Sequence, residues 1–487
     1  MLFNSIQFLI FFPLVTVLYF VLPHRMRPLL LLIASCVFYM AFIPAYILIL
    51  LVLIVVDYFA GILIENARGK DRRMFLLISI VANVGFLAFF KYYNFINENI
   101  FRIAQFLDLR YPASTLQIIL PIGLSFHTFQ AMSYTIEVYR HKQKAERNPL
   151  IYALYVMFYP QLVAGPIERP QHLIYQFKEK HYFDYNRVVD GIKLMAWGLF
   201  KKVVIADRLA ILVNHVYNDP SGYSGIPLIV ATVFFAFQIY CDFSGYSDIA
   251  IGAAQVMGFN LMNNFNRPYF SKSIHEFWQR WHISLSTWFR DYVYIPMGGN
   301  RVPKWRWHYN LFITFLISGL WHGANWTYVL WGGLNGFYLL CGHWTKPYRD
   351  SLVKWTRLDR VPFLHRILQL AATFSLICFA WILFRAKNMP DAIYIITHIF
   401  QGLGDVFNIE SLKTSLFGLG LSRSEFFIAI ASICFMETVH LVQIHGSIRH
   451  MLSDKPVWLR WSLYYAILFG IIFFGVFRET QFIYFQF

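Results

Sequence analysis

Few side chains in this sequence could do chemistry where they stand, and two histidines stand out among them. His322 lies inside SGLWHGANW, 318–326, where Trp321, Gly323, Ala324, Asn325 and Trp326 supply aromatic walls and small residues for close backbone approach. An imidazole titrates near neutrality, and burial would keep it uncharged, so it could take a proton from a hydroxyl attacking a thioester. A lone histidine in an apolar helix is also an ordinary core residue, and composition alone leaves both readings open. His282 falls in EFWQRWHISLSTWFRDYVYIPMGGNR, 276–301, among Trp278, Trp281, Trp288, Arg280, Arg290 and Arg301. That mixture reads as an amphipathic helix lying along a membrane interface. It also suits a cationic, aromatic rim that holds the phosphates and pantetheine arm of an acyl carrier, with Trp278, Arg280, Trp281, Arg290 and Asn325 as donor-binding residues. Asn325-Trp326-Thr327 matches a glycosylation sequon, which its expected depth in the membrane makes a chance match.

The remaining ionisable groups fall in apolar runs, where each one costs a few kcal/mol and so needs a partner or a task. Lys201, Lys202, Asp207 and Arg208 could close internal ion pairs along one helix. Asp242 and Asp248 flank Ser244, Gly245 and Ser247 in QIYCDFSGYSDIAIG, 238–252, which fits either a structural hydrogen-bond network or polar groups lining a channel. The cysteines (Cys36, Cys241, Cys341, Cys378, Cys434) are scattered singly, with no CxxC pair and no histidine at ligand spacing, so no disulfide framework, metal site or permanently bound cofactor is implied.

These residues must be positioned by membrane helices. Of 487 residues 58% are hydrophobic and only 14% charged, which excludes an ordinary soluble domain. The net charge of +16 sits mostly in short connectors rather than on one face, so it reads as topology-setting loop charge and not as a nucleic-acid surface. Apolar runs near spanning length recur at 3–22, 29–43, 45–64, 74–95, 116–138, 191–213, 227–255, 310–326, 327–344, 367–386, 424–446 and 461–478, giving an all-α polytopic transmembrane bundle of about eleven or twelve spans. The first run lacks a basic leader and a cleavage site and is read as an uncleaved span. The segment 150–166, broken by Pro160, Gly165 and Pro166, reads as re-entrant, and 171–190 as amphipathic surface helix. Basic residues in alternate connectors (Arg25 and Arg27; Arg68 to Arg73; Arg140 to Arg147) place those loops in the cytoplasm and both termini outside. No internal repeat or soluble domain is evident, so residues 1–487 read as one membrane domain with a core of about 116–345.

At FYPQLVAGPIERP (158–170), QIYCDFSGYSDIAIG (238–252), FWQRWHISLSTWFRDYVYIPMGGNR (277–301), SGLWHGANWTYVLWGGLNG (318–336) and the closing FIYFQF (482–487), the sequence resembles the membrane-bound O-acyltransferase superfamily. Within it the likeness is to the bacterial branch of alginate O-acetyltransferase integral membrane proteins. The resemblance implies a catalytic histidine at His322, a second polar site at His282, and acyl transfer from a cytoplasmic thioester, acetyl-CoA or an acyl carrier protein, to a polysaccharide outside the inner membrane. It further implies extracytoplasmic acetyltransferase partner proteins, and it leaves the acceptor open among alginate, cellulose, peptidoglycan and teichoic acid. Rival readings are a D-alanyl transfer protein, a transporter or flippase, which should show symmetry-related halves, and a passive scaffold for soluble acetyltransferases.

Overall fold

The computed structural model describes residues 1–112, 116, 121–402, 404, 408–477, 482 and 483. Every regular element among them is helical. The six helices Tyr46–Asn66, Gly69–Phe106, Ile226–Met257, Pro362–Arg385, Arg423–His445 and Val457–Phe474 are long and apolar enough to cross a bilayer, and Ile6–Val21 is a shorter apolar helix. The other expected spans fold as helices that fall short of that length or apolarity, among them Arg27–Met40, Leu124–Tyr139, Lys304–His322 and Trp326–Trp344. The chain packs as two compact units, and the helix Ile226–Met257 contributes residues to both.

The first unit comprises Met1–Met195 with Tyr246–Met262. Its core is the segment expected to be re-entrant, which folds as Pro149–Met157 and Tyr159–Leu162 with a break at Phe158. A break at that depth frees backbone groups that water cannot serve, and protein must take them instead. The Tyr159 N–H, displaced from the helical ladder, donates to Ser35 Oγ at 3.0 Å. The Tyr155 carbonyl that would have received it accepts the side-chain amides of Gln130 and Gln161. Tyr152, Leu154, Tyr155, Met157 and Phe158 are wholly buried. A second buried network ties three helices together, with Asp57 accepting from Ser79 at 2.5 Å and from Asn83 at 2.8 and 3.0 Å, and Ser79 also reaching Thr135.

The stretch 171–190 is not a surface helix throughout. Short turns at Pro170–Leu173 and Tyr175–Lys178 are followed by non-helical chain, and a helix starts only at Tyr185. Its backbone is spoken for by distant or tertiary partners: the His181 carbonyl accepts from Arg27 and the Gln176 carbonyl pairs with the His181 ring.

The second unit comprises Ala196–Gly245 with Asn263–Ile483. At its centre the helices Lys304–His322 and Trp326–Trp344 form a tight hairpin. The approach depends on glycine: a Cβ on Gly319 would lie 2.3 Å from the Tyr328 carbonyl oxygen, and one on Gly332 would lie 2.4 Å from that of Phe315.

Candidate active site

His322 is the last residue of its helix, and the hairpin turn fixes where it points. Gly323 leaves the helix in an extended conformation, where a Cβ would strike the Tyr328 ring at 2.2 Å. Asn325 then caps the next helix, its Oδ1 accepting the Thr327 N–H at 3.0 Å, while its Nδ2 donates to the Lys387 carbonyl at 3.1 Å. Asn325 is thus engaged as a cap.

The His322 ring is 5% exposed and stands edge-on to three aromatic rings. Centroid separations are 4.9 Å to Trp321, 5.0 Å to Trp331 and 5.3 Å to Phe384. Trp381 completes the wall, stacked on Trp331 at 6.0 Å and edge-on to Phe384 at 5.2 Å. Such a cage removes bulk water from the imidazole. Trp331 lies within a motif that the sequence singled out, whereas Trp381 and Phe384 in FAWILFR look like any apolar helix, and only tertiary packing reveals them.

His282 reaches the same cluster. Its ring lies 6.3 Å from that of Trp321, so the two histidines flank one indole. Its backbone is left-handed, φ 44° and ψ 56°, a conformation a histidine adopts only when its surroundings impose it. They do so here through Asn264, whose carbonyl accepts the Ile283 N–H at 2.9 Å and whose Oδ1 accepts from Ser284. In that turn His282 Nδ1 accepts the Leu285 N–H at 3.2 Å. A nitrogen that accepts carries no proton, so the neutral ring bears its hydrogen on Nε2, which is itself buried. His282 is therefore arranged as a hydrogen-bond donor.

This turn also overturns the expected amphipathic helix across 276–301. The stretch is broken into Ile274–Arg280, Ile283–Phe289 and a π-helical turn Arg290–Tyr294. Trp281 and Trp288 are buried at 1% and 4% exposure rather than laid on an interface. Trp281 packs against Trp381 at 5.1 Å, and half-buried Trp278 against Trp331 at 5.6 Å. Arg280 pairs with Glu276 at 2.6 Å, and exposed Arg290 with Asp291 at 2.8 Å. The tryptophans of the expected donor rim thus pack against Trp331 and Trp381 of the cage, while its arginines pair with neighbouring carboxylates.

Asp242 is buried and Asp248, six positions on in the same helix, is half-buried. Asp242 is ion-paired with Lys202 at 2.8 Å and accepts the Ile483 N–H at 2.8 Å. The expected ion pair along the 201–208 stretch is present between Lys202 and Asp207, also at 2.8 Å. Of FIYFQF, Phe482 and Ile483 are buried, and the rest lies outside the described residues.

Residues 140–383 match the model of the membrane-bound O-acyltransferase family, a span that contains both histidines and, Phe384 excepted, the cage around His322. The chain belongs to that family. It is an O-acyltransferase built into a membrane. A protein of Pseudomonas syringae pv. tomato named Probable alginate O-acetylase AlgI is 38% identical over 89% of this chain and 81% of its own length. The peptidoglycan O-acetyltransferase of Helicobacter pylori is 32% identical over 100% of this chain and 98% of its own. A teichoic acid D-alanyltransferase of Bacillus subtilis is 30% identical over 55% of this chain and 69% of its own.

Proposed function

We propose that this membrane-bound O-acyltransferase moves an acetyl group from a cytoplasmic thioester, acetyl-CoA in the first instance, to a hydroxyl of an extracytoplasmic polysaccharide, most simply alginate. The observation that carries the reading is the pairing of two buried histidines around Trp321, one caged by aromatic rings and one held as a donor. His322 acts as general base: it takes the proton of the acceptor hydroxyl as the oxygen attacks the thioester carbonyl. The C–S bond then breaks, the ester C–O bond forms, and the proton passes to the departing thiolate. His282, with its hydrogen on Nε2, positions the donor or polarises its carbonyl. General-base assistance of this kind is worth about 10² to 10⁴ in rate. Trp278, Trp281, Arg280 and Arg290 form the donor side of the site.

Relatives named for alginate, peptidoglycan and teichoic acid support a polymer acceptor, and the higher identity over a greater share of the chain favours acetyl over D-alanyl transfer. The inner membrane is the location, with both termini outside. Extracytoplasmic acetyltransferases are the partners that finish or relay the transfer.

The test uses proteoliposomes loaded with labelled acetyl-CoA and given alginate oligosaccharide outside. The reading expects free CoA inside and labelled ester outside, or labelled ester on an added partner protein. Label crossing as intact thioester would instead make the protein a transporter. Turnover only with D-alanyl or acetyl carrier protein would reassign the donor.

A further inference from the structure

The ion pairs around Lys202 lie outside the chemistry just described, yet a line of contacts leads from them to the ring of His282. The π-helical stretch Lys201–Ala206 is buried, and the π geometry, often found at functional sites, brings two lysines against acidic and hydroxyl partners. Lys202 Nζ stands 2.8 Å from Asp207 and 2.8 Å from Asp242, while Lys201 donates to Ser244 at 2.9 Å. The cluster thus sets two lysines against two aspartates and a serine hydroxyl, the pairing that burial of such groups requires.

The far oxygen of Asp242 accepts the Ile483 N–H at 2.8 Å and so fastens the end of the chain to the helix Ile226–Met257. Beside that bond the Phe482 ring lies 5.7 Å from Phe243, and the Phe243 ring lies 4.6 Å from His282. Phe482 and Phe243 are both 0% exposed and His282 is 1% exposed, so any shift of the phenyl rings is transmitted to the imidazole.

We infer that Asp242, paired with Lys202, is a positioning residue for His282: it locks the Phe482–Ile483 segment in place, and Phe482 and Phe243 hold the imidazole in its donor orientation. This rests on the role given to His282 above. A carboxylate paired with an ammonium is a stronger acceptor for the Ile483 N–H than a neutral amide would be. Asp242→Asn therefore loosens the segment and leaves Lys202 with one carboxylate. Phe482→Leu removes the ring contact without touching the charges.

The experiment measures kcat and donor KM for thioester turnover by purified full-length protein, for Asp242→Asn and Phe482→Leu alone and each combined with His282→Ala. Alone, either change is expected to lower kcat about ten- to a hundredfold, the scale of a displaced catalytic group, with donor KM within about twofold. In the His282→Ala background neither should lower kcat further, because the group they position is gone. Full additivity in that background, or a loss confined to KM, would show a general structural role and overturn the inference. An undiminished kcat for His282→Ala alone would overturn this inference, and an unchanged donor KM beside it would overturn the role of His282 as well. Should Asp242→Asn fail to fold, Phe482→Leu carries the same comparison with the charge cluster intact.

Discussion

His282 is the residue at which backbone and chemistry are most tightly joined. Its left-handed turn, held by Asn264, is what makes Nδ1 the acceptor of the Leu285 N–H and leaves Nε2 as the donor. Because a donor that polarises or orients assists the reaction without taking the transferred proton, His282→Ala should retain residual activity while lowering turnover about ten- to a hundredfold. Steady-state kinetics on thioester consumption check this, and unchanged turnover together with an unchanged donor KM would remove His282 from the site. A second residue-scale prediction concerns His172, whose Nδ1 lies 2.7 Å from fully buried Glu168 in the connector after the broken helix. The hydrogen bond to Glu168 holds the His172 imidazole above its ordinary value, outweighing its partial burial. A group raised in the folded state stabilises that state most below its unfolded value and loses the contribution as pH climbs through the folded one. Hydrogen exchange across 168–176 should therefore show lower protection, corrected for intrinsic rate, as pH rises through and beyond the ordinary imidazole range. His172→Gln should flatten that dependence; an identical slope in the variant would place its origin elsewhere.

At the scale of elements, the hairpin of Lys304–His322 and Trp326–Trp344 sets the position of His322 through glycine contacts that admit no side chain. Gly319→Val should force the helices apart, costing about 1–3 kcal/mol of stability and at least about tenfold in turnover even where the protein still inserts. Thermal unfolding in detergent and transfer assays read the two effects, and wild-type turnover would contradict the tight hairpin. Much of this element was legible beforehand: SGLWHGANWTYVLWGGLNG carries both glycines, two of the caging tryptophans and the histidine in one run. The wall from Trp381 and Phe384 was not, because aromatic residues in an apolar helix have the same pattern whether they meet lipid or a histidine. Nor was the break at His282 visible, since the left-handed turn is imposed by Asn264, eighteen positions earlier, through a tertiary contact that no local period encodes. Periodicity favoured one long amphipathic helix there, and packing overrode it.

For the molecule as a whole, composition identified the solvent, and the alternation of basic connectors predicts that both termini lie outside. A single cysteine placed at either terminus of a variant lacking the native five should react with a membrane-impermeant maleimide in spheroplasts without permeabilisation. Labelling only after permeabilisation would invert the arrangement and put the acceptor side of the reaction at the wrong face. The six long apolar helices alone would not have disclosed an enzyme. That came from the few polar groups the bilayer tolerates and from the order of motifs around them, since each intramembrane charge or imidazole either finds a partner, as Asp57 and Lys202 do, or has a task.

The claim on which all of this turns is that the caged imidazole of residue 322 removes the proton from the attacking hydroxyl. His322→Gln keeps a polar side chain of similar reach but no basic nitrogen, so it isolates that function from packing. Purified and reconstituted beside the wild type, the variant should insert and unfold at a similar temperature yet transfer acyl groups about 10² to 10⁴ times more slowly, the loss expected of a missing general base. Transfer at the wild-type rate by that variant would contradict the account.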